Sequence, residues 1–223
     1  MNNKKRVELP LVDPIYSSYN DGIITAIYVD NPSIRNFYLN EVMILECNRK
    51  FLRGYTSPEI FVLGSGMHEN PYLIKKWYVI KYLKGHINYA IRNLIDDGYY
   101  VFFSGIDDYY IEGKSWYKER HAMHTGTIVG YDQNDKTYCM YAYDRNWVYQ
   151  KFWTSQKGFN AGRISAEKEG VENAEIYGLR ASDEIVAFCP EKACAKIAEY
   201  LDSSVEKYPE NEDGPVHGIA TQE

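Results

Sequence analysis

The sequence lacks the features that would assign the protein to several large functional classes. Its 223 residues carry a formal net charge of −6, and no stripe of lysine and arginine argues for nucleic-acid binding. No window approaches the roughly 20 apolar residues that a membrane span requires. The basic stretch at residues 4–6 leads into an apolar run that is too short for a signal peptide. We therefore expect a cytoplasmic protein that binds neither nucleic acid nor a membrane.

Cysteine is scarce and is not spaced for a metal site. The four cysteines are Cys47, Cys139, Cys189 and Cys194. Only the last two are close in sequence, and they have neither a second pair nor a histidine beside them, so the spacing does not indicate zinc. The sequence also has no phosphate-binding loop. It therefore predicts no cofactor, and it predicts reduced thiols because cytoplasmic proteins keep their cysteines reduced.

The composition is that of an ordinary globular protein with one exception. The length fits a single domain, which we place at residues 1–205. Residues 206–223 are polar with little to bury, so we expect a disordered tail there. The exception is tyrosine, with 22 copies. A tyrosine buries its ring and keeps a polar tip, so this number indicates half-buried surfaces or a groove, unless it reflects compositional drift.

Hydrophobic periodicity predicts helices in the first half of the chain and strands in the second. Apolar residues at helical spacing predict helices over residues 36–51 and 76–97, with Gly98 as a C-cap of the second. Pro190 begins a predicted helix that ends at residue 201, and residues 159–180 are expected to be irregular. Short apolar runs predict strands at residues 99–103, 109–111, 124–131, 137–144, 147–153 and 184–188. This order indicates an α+β fold with a helical lobe on a small twisted antiparallel sheet and a cleft between them.

A predicted hairpin carries the most informative polar residues. His124 opens an apolar run that ends in Gly130-Tyr131-Asp132, and a second run closes on Asp144. The linker at residues 133–136 is rich in turn formers and favours a hairpin. The hairpin would place an imidazole beside a carboxylate, which are two members of a nucleophilic triad. The alternative is a strand-end histidine with satisfied hydrogen bonds and a turn aspartate.

Other residues of this region have a simpler interpretation beside a functional one. His121 precedes His124 by three residues, which would place it on the opposite side of a strand or in a solvated loop. Asp107 and Asp108 form a carboxylate pair, but neighbours on a strand point apart, so we expect a surface loop. The tryptophans could wall a groove for an aryl or acyl chain or could pack in the core; they are Trp77, Trp116, Trp147 and Trp153.

These residues resemble those of papain-like cysteine peptidases. In that family a cysteine at the N-terminus of the first helix works with a histidine that begins a central strand and an Asp or Asn on the next strand. The chain also resembles a narrower group from thiotemplated biosynthesis clusters. The residues that carry this resemblance are the run from Leu83 to Phe103, Tyr109-Tyr110-Ile111, Trp116-Tyr117, His121, His124 and Gly130-Tyr131-Asp132. That group includes butirosin-type acyltransferases and the amide-forming cysteine-peptidase homologue of the closthioamide pathway. The resemblance covers about residues 9–155 and is strongest over residues 76–144.

The resemblance implies a papain-like fold and an acyltransferase that forms an amide in antibiotic biosynthesis. The substrates would be an acyl group held as a thioester on a carrier protein and a small-molecule amine. His124 would be the base, and Asp144 would orient it. The family places its nucleophilic cysteine near residues 16–22, ahead of a segment, residues 20–29, that fits a helix or a strand. Ser18 stands at the nucleophile position here.

Three interpretations of Ser18 remain open. In the first, the chain is an engineered variant in which serine replaces cysteine to trap a ligand. In the second, it is a natural serine enzyme or a degenerate pseudoenzyme. In the third, the relevant residue is not Ser18 but Asp21 or the distant Cys47. Two alternative functions remain open as well. One is a bacteriocin-processing type of peptidase with the same triad, and the other is a binding or immunity module that has lost its nucleophile.

Overall fold

The structure, a computed structural model, describes residues 6–11, 32–41, 45–48, 60–62, 71–83, 85–169, 175–202 and 215–217. Ser18, Asp21, residues 20–29 and most of the expected tail lie outside these ranges. The strands are β1 (Arg6–Glu8), β2 (Leu45–Asn48), β3 (Ile60–Val62), β4 (Leu73–Val79), β5 (Tyr100–Asp107), β6 (Met123–Asp132), β7 (Thr137–Tyr143), β8 (Tyr149–Ser155), β9 (Glu175–Ala181) and β10 (Pro215–His217). The α-helices are α1 (Pro32–Glu41), α2 (Ile87–Asp96), α3 (Gln156–Lys168) and α4 (Pro190–Asp202), and short 3-10 turns occupy Ile80–Leu83 and Asp108–Tyr110.

Most strands form one antiparallel sheet in the order β4-β9-β5-β6-β7-β8. β1 pairs with the part of β6 that lies beyond the reach of β5. A smaller sheet has the order β10-β2-β3, so β10, which falls in the expected tail, pairs with β2. Helices and antiparallel strands together confirm the predicted α+β class. None of the helices in these ranges is both long and apolar enough to cross a membrane.

The predicted hairpin of β6 and β7 is confirmed. The Asp132 carboxylate accepts from the N–H groups of Asn134 and Asp135, at 2.9 and 3.2 Å, and so shapes the connecting turn. β1 lies close against the same strand, since a Cβ on Gly130 would approach the Val7 carbonyl oxygen to 2.5 Å. The hairpin formed as predicted because its turn chemistry and its apolar alternation are local.

Two longer predictions are wrong in the residues that the structure describes. Residues 76–79 of the predicted helix 76–97 belong to β4, which pairs with β9 along its whole length, and residues 80–83 form a 3-10 turn. The second half is α2, and Gly98 follows it in the left-handed region with φ 81°, as a C-cap requires. Within the predicted irregular range 159–180, residues 159–168 belong to α3 and residues 175–180 belong to β9. Ser155 caps α3 by accepting from the Gly158 N–H at 3.0 Å. The partners of β9 are distant in sequence, so local reasoning could not find them.

Three shorter predictions also need correction. The first helix ends at Glu41, and β2 occupies part of the predicted range 36–51. Residues 109–111 are not a strand, because the Asp107 carboxylate accepts from the Tyr109 N–H at 3.1 Å and favours a turn. Residues 184–188 are not a strand, because their carbonyl groups accept from side chains of α1, namely Ser33, Asn36 and Asn40. The predicted C-terminal helix is confirmed as α4.

The large sheet buries a hydrophobic cluster on each face, since alternate residues of β5 belong to different clusters. On one face α2 and α3 pack against β5, and Phe159 of α3 lies between Phe103 and Tyr138 with centroid distances of 5.4 and 5.3 Å. On the other face Val129 and its neighbours pack with Phe37 of α1. Polar side chains gather beyond these clusters, where β5 ends and β6 begins.

Candidate functional site

Two adjacent aspartates stand where β5 ends. Asp107 closes the strand and Asp108 begins the 3-10 turn, and both are buried, with 0% and 2% exposure. The Asp108 N–H donates to the Ala122 carbonyl at 2.9 Å, which ties the turn to the start of β6. The expectation of a surface loop at residues 107–108 is therefore wrong. A buried carboxylate needs polar partners, and each of these aspartates has a histidine.

Asp108 holds His124. The Nδ1 atom of His124 lies 2.7 Å from Oδ2 of Asp108, and the imidazole is 31% exposed while the carboxylate is 2% exposed. A carboxylate only accepts, so Nδ1 carries the proton and donates it, and in the neutral ring the lone pair is on Nε2. A half-buried imidazole whose tautomer is set by a buried carboxylate has the construction of a general base.

A buried lysine lies on the other side of the same carboxylate. Lys114 Nζ is 3.6 Å from Oδ1 of Asp108, and its side chain is 2% exposed. Burial lowers the pKa of the Lys114 ammonium, and the charge of Asp108 opposes that effect. The carboxylate thus has a cation near one oxygen and an imidazole on the other. This arrangement fixes the orientation of Asp108 and so of the His124 ring.

Asp107 holds the second histidine, His121. Its Oδ2 lies 2.6 Å from His121 Nδ1 and accepts from the Ser165 hydroxyl at 2.7 Å. Its Oδ1 accepts from the backbone N–H groups of Tyr109 and Ala122. The His121 side chain is 58% exposed, as expected, but its ring stacks on Tyr109 with a centroid distance of 4.4 Å. Burial would raise the pKa of Asp107, and these four hydrogen bonds outweigh it and lower the pKa.

We expect Asp107→Asn to lower the free energy of unfolding at pH 7 by about 2 kcal/mol, because hydrogen bonds to a buried charge are replaced by weaker ones. The pKa of Asp107 is lower in the folded protein than its ordinary 3.8. Its stabilisation is therefore complete above about pH 4 and is lost as the pH falls through the folded pKa. Urea unfolding of both proteins at pH 7, 5 and 3.5 measures this.

The exposed Asp183→Asn serves as the control and is expected to match the wild type at each pH. A difference between wild type and Asp107→Asn that stays constant down to pH 3.5 would contradict the assigned role of Asp107.

Among the contacts of the described residues, Asp144 bonds within its own turn, and Asp108 is the carboxylate on Nδ1 of His124. The β6/β7 register sets Thr127 opposite Tyr141, and its continuation sets His124 level with Asp144, as the hairpin predicted. The Asp144 carboxylate nevertheless turns into its own loop. Oδ1 accepts from the N–H groups of Asn146 and Val148 at 2.8 and 2.9 Å, and Oδ2 accepts from Gln150 Nε2 at 2.7 Å. The carboxylate on His124 is therefore Asp108 and not Asp144, because nearby donors of the turn satisfy Asp144 first.

The nucleophile position, Ser18, lies outside the described residues and stays a prediction. Among the cysteines, Cys47 lies in β2 of the smaller sheet. Burial raises the pKa of the Cys139 thiol to about 12, so this residue is a core side chain without thiolate character at neutral pH. Cys139 lies opposite Gly130 and Trp153 in the sheet, away from the end of β6 that carries His124.

Sequence reasoning missed Asp108 and Lys114 as members of the site. One signal was present: a carboxylate pair stands at the end of an apolar strand, and two histidines stand just before and at the start of the next strand of the same sheet. The ends of antiparallel neighbours meet, so carboxylates and imidazoles had to lie together. The β5/β6 register shift between Phe103 and Ile106, which decides the individual partners, is not visible in the sequence.

A cleft of about 610 Å³ lies near the other end of β5 and does not belong to this site. Its lining includes Tyr100, Arg180 and Glu184. No group of three or more His, Cys, Asp or Glu side chains within the described ranges is placed to hold a metal ion.

Comparisons with known proteins leave the family open. No protein-family model matches the chain. A search of curated proteins finds no match either. The geometry of the dyad therefore carries the functional argument.

Proposed function

We propose that the protein is an acyltransferase that forms an amide from an acyl thioester and an amine, with His124 as its general base. The observation that carries the proposal is the contact between His124 Nδ1 and the buried Asp108 carboxylate. Asp108 takes the orienting role that the sequence assigned to Asp144. Ser18 keeps the nucleophile position that the family resemblance gave it, and the proposed fold is papain-like.

The reaction has two halves with a shared base. His124 Nε2 takes the proton of the nucleophile at position 18, which attacks the thioester carbonyl. The carbon–sulfur bond breaks, and the thiol leaves with the proton that the imidazolium returns. The amine then attacks the acyl-enzyme, His124 takes its proton, and the nucleophile leaves and is reprotonated. A carrier protein would supply the acyl thioester, and no cofactor enters either half.

A hydroxyl at position 18 favours a second candidate, a binding or immunity module without turnover. A serine hydroxyl is much less acidic than a thiol, and a site built for a thiolate loses most of its rate with serine. The dyad would then be a remnant of the catalytic site. The same dyad would serve a processing peptidase, so the acyl donor has to be varied in the test.

The test is the intact mass of Ser18→Cys after incubation with the acetyl and octanoyl thioesters of N-acetylcysteamine. We expect an acyl adduct on the introduced thiol, and we expect Ser18→Cys/His124→Ala to lose it, because the thiol then has no base. Ser18→Cys/His86→Ala is the matched control and should keep the adduct. His86 is an exposed imidazole at the start of α2 and makes no side-chain capping bond.

The adduct should be released as an amide on addition of n-butylamine. A folded Ser18→Cys protein without an adduct from either thioester would overturn the proposal and favour the binding module. An adduct that forms only from peptide esters would favour the peptidase.

A further inference from the structure

Trp147 has an exposed side chain on a backbone that hydrogen bonds of its turn constrain. Its side chain is exposed over 57% of its surface, and its φ of 60° lies in the left-handed region, which a bulky residue rarely adopts. The Asp144 carboxylate imposes this conformation through its bonds to Asn146, Val148 and Gln150, and the Trp147 N–H donates to the Asp144 carbonyl at 3.1 Å. A strained and exposed aromatic residue indicates a role in binding.

A second loop meets this turn. The rings of Trp116 and Trp147 lie edge to face with centroids 5.9 Å apart, and the Arg120 guanidinium lies 5.4 Å from the Trp116 ring. Lys118, in the same loop, has φ 59°, and its N–H donates to the Tyr109 carbonyl at 3.0 Å. Two constrained loops thus contribute to one surface, which we call the tryptophan corner (Trp116, Arg120 and Trp147).

The tryptophan corner lies at the end of the sheet that carries the dyad. The turn that holds Trp147 follows β7, level with His124 near the start of β6. The loop that holds Trp116 joins Asp108 to β6, and its Lys114 lies on the Asp108 carboxylate. An acyl group attached beside His124 therefore has two indole rings at the same end of the sheet.

We propose that the tryptophan corner binds the apolar chain of the acyl group and sets the preference for chain length. This inference rests on the proposed acyl transfer and names its specificity-determining residue, Trp147, with Asp144 as a positioning residue. Burying a methylene group on an indole ring contributes a favourable increment with each carbon, whereas an acetyl group is too short to leave the carbonyl site. The corner should therefore act on long chains and not on short ones.

The test compares kcat/KM for octanoyl and acetyl N-acetylcysteamine thioesters in the Ser18→Cys background. We expect Trp147→Ala to lower the value for octanoyl about tenfold and to leave the value for acetyl within twofold. The matched control is Trp77→Ala, since Trp77 is 59% exposed but lies on β4 at the edge of the sheet. This control should keep the ratio of octanoyl to acetyl.

Asp144→Asn tests the positioning role. We expect it to reduce the octanoyl-to-acetyl ratio in the same direction as Trp147→Ala, about threefold, without moving the pH profile of kcat/KM for acetyl. Asp132→Asn is its matched control, because Asp132 shapes the turn at the other end of the same hairpin with equivalent backbone bonds. It should leave the ratio unchanged.

Equal losses for octanoyl and acetyl would overturn the inference while leaving acyl transfer intact. A loss confined to thioesters carried by a carrier protein would also overturn it, since the corner would then contact the carrier. If no thioester reacts, the affinity for an octanoyl thioether of pantetheine is measured by calorimetry. Weaker binding to Trp147→Ala than to the parent supports acyl-chain binding at the tryptophan corner, and equal binding overturns it.

Discussion

Asp108→Asn, made in the Ser18→Cys background, is expected to slow acyl-enzyme formation about ten-thousandfold, because orienting carboxylates of histidine bases have effects of this size. Asparagine keeps the shape of aspartate but can offer an N–H to Nδ1, which favours the wrong imidazole tautomer. It also removes the negative charge that lies 3.6 Å from the buried Lys114 Nζ. The measurement is the rate of adduct formation, followed by intact mass of samples quenched at set times, with the octanoyl thioester in excess.

The control for this exchange is Asp132→Asn, which replaces another buried carboxylate, 8% exposed, at the far end of the hairpin. Its rate should match the parent, and both variants should be checked for folding by circular dichroism. If Asp144→Asn removed the adduct and Asp108→Asn did not, the assignment of Asp108 would be wrong and the carboxylate predicted from the sequence would take its place.

Phe159→Ala should give the largest loss of stability among the core positions discussed. Phe159 is 1% exposed, and its ring meets Phe103 and Tyr138 edge to face, so it joins α3 to β5 and β7. Removing a buried phenyl ring loses transfer free energy and leaves a cavity, which together cost about 3–5 kcal/mol. For a chain of this length we expect Tm to fall by about 10 °C.

Phe188→Ala is the matched control for this prediction, since Phe188 is 49% exposed. The Tm of this variant should differ from that of the parent by less than about 2 °C. Thermal unfolding followed by circular dichroism measures both variants. A Phe159→Ala protein as stable as the control would mean that α3 does not pack against β5 and β7 in this way.

The packing of α3 also supports the end of β5 at Asp107. A Cβ on Gly162 would approach the Asp107 carbonyl oxygen to 2.8 Å, so the helix lies directly against the end of β5. Ser165, one turn further along the helix, donates to the Asp107 carboxylate. The helix that sequence reasoning took for an irregular segment therefore supports the strand end that carries both aspartates.

Local chemistry in the sequence determined a definite part of this protein: the α+β class, the β6/β7 hairpin, the C-cap at Gly98, the helix from Pro190 and the position of His124 at a strand start. Turn residues and apolar periodicity act over a few residues, so a single sequence displays them. Only the tertiary structure decided that residues 73–79 and 175–181 are paired strands and that His124 meets Asp108. Those outcomes depend on segments far apart in the chain and on a register shift in β5, while Asp144, with donors two to six residues away, is satisfied within its own turn.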